Sequence, residues 1–167
     1  PDITLIVNDN QTFSLTTGQA TPTSQLGYKT KSEPLGVFNQ PINPIHLALS
    51  AGASFVARCN ANDIEHTQKT IEQAVKHKGF SFVEIIQNCI VFNLDVNERE
   101  KKMYKLSDKN RTLKKALILA QEFDYNIGDK KIPIGIFYKH QRDTLDEQWP
   151  QLIKLKKLGV GWKGLKK

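Results

Sequence analysis

Short apolar runs rich in β-branched residues, separated by helix-patterned segments, set the tightest limit on how this chain folds. Residues 2–8 read Asp-Ile-Thr-Leu-Ile-Val-Asn, Ser54 to Ala57 is a second run, and Phe80 to Ile86 is a third, ending at Asn88-Cys89. Each has the length and composition of a strand, the first of them a buried one. Between the first two, Asn43-Pro44 offers an N-cap followed by a first-turn proline. Ile45, Ala48 and Leu49 then supply the inner face of a helix that stops near Gly52. Asn62, three residues before Glu65, suggests a capping box for a second helix. Its stripe is Ile64, Thr67, Ile71, Ala74 and Val75, and Gly79 closes it. A charged stretch, Asn97 to Arg111, interrupts the pattern before Leu113, Ala116, Leu117 and Ala120 mark a third helix. Ile132 to Tyr138 reads as a late strand, which Pro133 consigns to a sheet edge if it forms at all. Thr144 with Glu147 caps a last helix, with Pro150 in its first turn or at a kink. Strands alternating with helices predict an α/β fold, a parallel sheet flanked by helices on both faces.

From Asp9 to about Asn43 the chain is polar and rich in Thr, Gly, Gln and Pro. A loop that long inside a compact domain is generally functional or mobile. It follows the first strand, and open α/β sheets bind ligands beyond the carboxyl ends of their strands. Asp9 to Thr23 is therefore the first place to look for a site.

The rest of the composition mainly excludes. At 167 residues the chain is about one domain long. Two cysteines, Cys59 and Cys89, make neither a disulfide framework nor a zinc finger. No apolar run is long enough to span a membrane, and no signal peptide opens the chain, which points to the cytoplasm. The chain starts at Pro1 and its only methionine is Met103, so it is expected to begin inside a longer protein. The formal charge is +7, carried mostly by lysine; the arginines are Arg58, Arg99, Arg111 and Arg142. Lys154, Lys156, Lys157, Lys163, Lys166 and Lys167 form either a solvated tail or a surface for an acidic partner. Nucleic acid is a poor candidate for that partner, because no aromatic residues interleave with the basic ones to stack bases. Trp149 and Trp162 flank the tail as hydrophobic anchors.

The side-chain oxygens of Asn8-Asp9-Asn10, with the carbonyls that follow, suit magnesium, which takes hard oxygen ligands. The same tripeptide also suits an Asx turn. His46, His66, His77 and His140 have no metal-ligand spacing and read as structural or solvated. Glu84, inside a strand, reads as a buried, paired carboxylate. Gly18 and Gly27 form no phosphate-cradling motif.

Several blocks in order carry a resemblance. They are Asn10-Gln11-Thr12-Phe13-Ser14-Leu15-Thr16-Thr17-Gly18-Gln19, Thr21-Pro22-Thr23, Gly27-Tyr28-Lys29-Thr30-Lys31, Ala51 to Arg58, Lys78 to Glu84, Asn88-Cys89-Ile90-Val91-Phe92-Asn93 and Ile132 to Tyr138. Together they resemble the β subunit of 2-oxoacid:ferredoxin oxidoreductases, nearer the general 2-oxoacid and 2-oxoglutarate members than the pyruvate-specific ones. The resemblance implies the C-terminal part of a domain that binds thiamine diphosphate through Mg2+. It assigns residues 1–95 to that domain and 96–167 to a C-terminal extension of the same subunit. Asn10 becomes the side-chain magnesium ligand and Thr12 the carbonyl ligand, while Ser14 and Leu15 line the cofactor. Cys89 becomes one thiolate ligand of a 4Fe–4S cluster, and Cys59 stays structural. The family's Gly-Asp-Gly segment and three further cluster cysteines are absent from the sequence and are expected upstream. The implied partners are an α subunit, ferredoxin, a 2-oxoacid and coenzyme A. The alternative is a non-catalytic α/β fragment that acts only in subunit interaction.

Overall fold

The computed structural model describes residues 2–107, 112–126 and 128–159. Five strands form one sheet: β1 (Ile3–Asp9), β2 (Phe55–Asn60), β3 (Phe80–Ile86), β4 (Met103–Lys105) and β5 (Ile132–Lys139), in the order β1-β3-β2-β5-β4. The helices are α1 (Pro44–Ser50), α2 (Ile64–Lys76), α3 (Leu113–Ala120), α4 (Leu145–Gln148) and α5 (Pro150–Lys157), with a 3₁₀ segment over Leu94–Lys102. Strand alternation sends neighbouring side chains to opposite faces. On one face Val56, Phe82 and Phe137 pack with Ile45, Leu49, Ala116 and Ala120 from α1 and α3. On the other, Phe55, Ala57, Cys59, Val83 and Ile85 pack with Ala74 of α2. The sheet is thus covered by helices on both sides, as the alternation requires. Its strands come from both sides of residue 95.

The details correct several sequence expectations. The sheet is mostly parallel, but β2 and β5 run antiparallel, with Arg58 opposite Gly135. β1 forms where expected, yet it is not buried. Among the described residues it pairs only with β3, and Ile3, Leu5 and Ile6 are 50%, 45% and 41% exposed. β5 is not an edge strand, since it pairs with β2 on one side and β4 on the other. Pro133 is tolerated because its lies past the last β2–β5 pair, where no ladder bond needs its missing N–H. The cap of α2 is Asp63 rather than Asn62, its side chain accepting from His66 N. Asn62 instead donates to Glu100 at 2.9 Å. Ile64 and Val75 turn outward, and Thr70 takes the inner position beside Ala74. The charged stretch that seemed to break the pattern contributes the 3₁₀ segment and β4. Pro150 opens a separate helix, α5, after the capping box of Thr144 and Glu147 has started α4. Arg111, Trp162, Lys163, Lys166 and Lys167 lie outside the described residues.

Candidate functional site

Two loops leave the carboxyl ends of adjacent parallel strands. Asp9, the last residue of β1, stands opposite Ile86, the last residue of β3. Gln87 N still donates to the Asp9 carbonyl at 3.0 Å. The pairing therefore delivers Asn10 and Cys89 to the same end of the sheet, although 79 positions separate them in sequence.

The first loop is held by its own polar side chains. Asp9 Oδ1 accepts from Gln11 N at 2.9 Å and Thr23 Oγ1 at 2.7 Å. Its other oxygen, Oδ2, is buried without a hydrogen-bond partner among the described residues. Burial, and then repulsion from Glu84, push the Asp9 pKa up, against the hydrogen bonds from Thr23 and Gln11 and the pull of Arg99. Asn10 Oδ1 accepts from Thr12 N at 3.2 Å, and Asn10 Nδ2 donates to Ser14 Oγ at 2.8 Å. Phe13 N donates to the Gln19 carbonyl and Gly18 N to the Phe13 carbonyl, both at 2.9 Å, closing a tight hairpin. Gly18 adopts φ +95°, and a Cβ there would stand 2.8 Å from Phe92 Cδ1. That close approach locks the first loop onto the second.

Cys89, 2% exposed, opens the second loop. Its Sγ accepts from Phe92 N at 3.2 Å and Asn93 N at 3.3 Å, and lies 3.7 Å from Ser14 Oγ. Burial alone would raise the thiol pKa, but the amides of Asn93, Val91 and Phe92 and the Ser14 hydroxyl outweigh it and hold it below the ordinary value. A sulfur cradled this way is prepared to be a thiolate. Cys59 is the contrast: burial raises its pKa, as befits a core thiol.

The structure thus brings Asn10, Ser14 and Cys89 into one hydrogen-bonded group, with buried Thr12 beside it. Leu15 stands apart at 97% exposure. Sequence reasoning gave no role to Gln11, Asn93 or Arg99, which tie the two loops together. Gln11 holds a left-handed φ of 56° and is 1% exposed. Arg99 Nη1 donates to Gln11 Oε1 at 2.6 Å, and Gln11 Nε2 donates to the Tyr125 carbonyl at 2.7 Å and to the Thr23 carbonyl. Ser24 Oγ, at 2.7 Å, and Asn93 Nδ2, at 3.3 Å, donate to the Gln11 carbonyl. The scarcity of arginine was a usable signal for Arg99, but nothing in the sequence marks Gln11 as a hub.

Beneath the site Glu84 is the paired carboxylate expected. Arg58 Nε meets Glu84 Oε2 at 2.6 Å, with both side chains fully buried. Tyr125 hydroxyl donates to Glu84 Oε1 at 2.6 Å and accepts from Arg58 Nη2 at 2.8 Å.

The donor atoms fit the groups that the sequence implied. A carbonyl oxygen has two acceptor sites. Asn10 Oδ1 uses one on Thr12 N, and the Thr12 carbonyl uses one on Ser14 N at 3.1 Å, so each keeps a lone pair of the kind magnesium takes. Cys89 suits an iron–sulfur ligand, since N–H donors to sulfur accompany such thiolates. A cluster needs four ligands, however, and no three His, Cys, Asp or Glu residues group to hold a metal among the described residues.

Comparison with known proteins identifies the family and agrees with the fold. Residues 1–85 match the family described as thiamine pyrophosphate enzyme, C-terminal TPP binding domain, and the chain belongs to that family. Within it, the chain is similar to 2-oxoacid:ferredoxin oxidoreductase β subunits. It is 39% identical over 163 residues to the subunit β of Saccharolobus solfataricus, covering 88% of this chain and 52% of that protein. It is 40% identical over 92 residues to the 2-oxoglutarate oxidoreductase subunit KorB of Mycobacterium tuberculosis, covering 55% of this chain and 25% of that protein. Among solved structures, a 2-oxoglutarate:ferredoxin oxidoreductase from Magnetococcus marinus, with 2-oxoglutarate, coenzyme A and succinyl-CoA bound, superposes with a TM-score of 0.82 at 28% identity. That match covers 96% of this chain and 54% of the other. The chain spans about half the length of the Saccharolobus relative.

Proposed function

We propose that this chain is the part of a 2-oxoacid:ferredoxin oxidoreductase β subunit that holds thiamine diphosphate through Mg2+ beside a 4Fe–4S cluster. The observation that supports this reading is the adjacency of an oxygen-donor loop and an amide-cradled thiol, joined through Asn10, Ser14 and Cys89. A family domain that binds the cofactor does not by itself require an amide-cradled cysteine there.

Asn10 Oδ1 and the Thr12 carbonyl would hold the magnesium that anchors the diphosphate, and Ser14 and Leu15 would line the cofactor. When bound, thiamine diphosphate supplies the carbanion stabilisation that lets a 2-oxoacid lose carbon dioxide. Cys89 would hold the cluster through which electrons leave for ferredoxin, its sulfur fixed by the amides of Phe92 and Asn93. The Gln11–Arg99 contact keeps the two loops in register, so that cofactor and cluster are held at a fixed separation. An α subunit completes the assembly, and coenzyme A takes the acyl group. The Magnetococcus relative supports 2-oxoglutarate as one substrate to test. The cytoplasm is the compartment in which such a cluster and reduced ferredoxin would work.

The test is coenzyme-A-dependent reduction of a low-potential acceptor by the complete β subunit with its α subunit, kept anaerobic. Pyruvate and 2-oxoglutarate are compared as substrates. Turnover that Asn10→Ala or Cys89→Ala lowers by about 10- to 100-fold or more is expected, in line with the cost of disturbing a metal site. Turnover retained in both variants would sink the reading.

A further inference from the structure

The hydrogen bonds around Ser14 have a fixed direction. Thr12 N can only donate, so the Asn10 oxygen that it meets is Oδ1 and the atom facing Ser14 is the amide nitrogen. Asn10 Nδ2 then donates to Ser14 Oγ, which leaves the hydroxyl proton free for the Cys89 sulfur at 3.7 Å. Phe92 and Asn93 N–H groups already point at that sulfur, so Ser14 adds the one donor that comes from the opposite loop and from a side chain.

Resting on the cluster assignment above, we infer that Ser14 is a tuning residue for the Cys89 centre: its hydroxyl, oriented by Asn10, donates to the thiolate and raises the cluster's reduction potential. A hydrogen bond to a ligating sulfur withdraws electron density, and this favours the reduced, more negative cluster. The chain of donors also runs Asn10 to Ser14 to Cys89, and hydrogen bonds in series polarise one another. A cation on Asn10 Oδ1 makes Nδ2 the stronger donor, and the Ser14 hydroxyl in turn. Occupancy of the diphosphate site is thereby felt at the sulfur through two side-chain hydrogen bonds.

The experiment is a potentiometric titration of the cluster in the complete α/β enzyme, followed by electron paramagnetic resonance, for wild type, Ser14→Ala and Ser14→Thr. Iron and sulfide content are measured alongside. Ser14→Ala is expected to lower the midpoint by an amount that changes the oxidised-to-reduced ratio up to tenfold at fixed potential, or about 59 mV for one electron. Ser14→Thr, which keeps the hydroxyl, is expected to stay near wild type. Ser14→Gly replaces the alanine variant if the latter loads no iron. A fully loaded Ser14→Ala or Ser14→Gly enzyme with the wild-type midpoint, or a Ser14→Thr midpoint displaced as far as alanine's, overturns the role of Ser14. A wild-type enzyme without a cluster would overturn the Cys89 assignment instead, and the inference would fall with it.

Discussion

At the scale of single residues, buried charge is the costliest feature of the chain. Arg58 has no exposure at all and is matched by Glu84, the Tyr125 hydroxyl and the Pro133 carbonyl at 3.3 Å. Its guanidinium also lies over the rings of Phe123, Tyr125 and Phe137. Glu84→Gln removes the carboxylate that Arg58 meets and leaves the buried guanidinium without an acidic contact among the described residues. A loss of about 3–5 kcal/mol is expected in urea unfolding, the range for breaking one side of a buried pair. Replacing both residues by apolar side chains of similar volume should cost far less. Glu84 was legible because a carboxylate in an apolar strand must find a partner. The identity of that partner was not legible, because it depends on Arg58 facing Glu84 in the β2–β3 register.

At the scale of elements, the join between α2 and β2 carries a pH dependence. His77 caps α2, is nearly buried, and meets Ser54 Oγ through Nε2 at 2.9 Å. Burial, and then Lys139, lower its pKa below 6.5, partly offset by Asp2. The unfolded chain therefore takes up a proton that the folded chain resists. The stability contribution is complete above pH 6.5 and falls as the pH drops from there through the folded pKa. His66, lowered chiefly by burial, adds in the same direction. Thermal unfolding between pH 7.5 and 5.5 should show stability falling with acidification, and His77→Gln should flatten that slope. The following turn is equally constrained. Gly79 sits at φ +115°, and a Cβ there would lie 2.7 Å from Ser54 Oγ. Gly79→Ala is expected to cost about 1–3 kcal/mol by chemical denaturation, the cost of forcing a side chain into a sparsely populated backbone region. Elements with local signals were readable: β3 matches its expected span, and the Asn43-Pro44 and Thr144–Glu147 starts hold. Strand position in the sheet was not readable, which is why β1 appeared buried and β5 marginal. Burial of a strand depends on its neighbours, and the antiparallel β2–β5 pairing is a long-range choice that no local pattern encodes.

At the scale of the whole molecule, one geometric fact organises the rest: β1 and β3 are parallel neighbours that end together. Their two loops therefore face one another, and side chains far apart in sequence become one site. The candidate residues Asn10, Thr12, Ser14 and Cys89 were singled out through resemblance of their blocks, since a turn-forming tripeptide and an isolated cysteine say little alone; the structure shows that Asn10, Ser14 and Cys89 meet. Gln11, Asn93 and Arg99 were not legible, because their role exists only once the loops meet. The 167-residue sequence carries a net charge of +7. Under the proposed function, encounter of the complete enzyme with an acidic ferredoxin is expected to weaken as salt rises and the screening length falls from about 10 Å at 0.1 M to about 3 Å at 1 M. A ferredoxin-dependent rate that is flat from low to high salt would remove electrostatic steering from the account. The central claim is that one end of this sheet holds two separable groups. Its most direct test is the thiamine diphosphate and iron content of the purified α/β enzyme, measured in wild type, Asn10→Ala and Cys89→Ala. Asn10→Ala is expected to lose thiamine diphosphate and keep iron, and Cys89→Ala to lose iron and keep thiamine diphosphate. Both variants retaining wild-type content of both groups would contradict it.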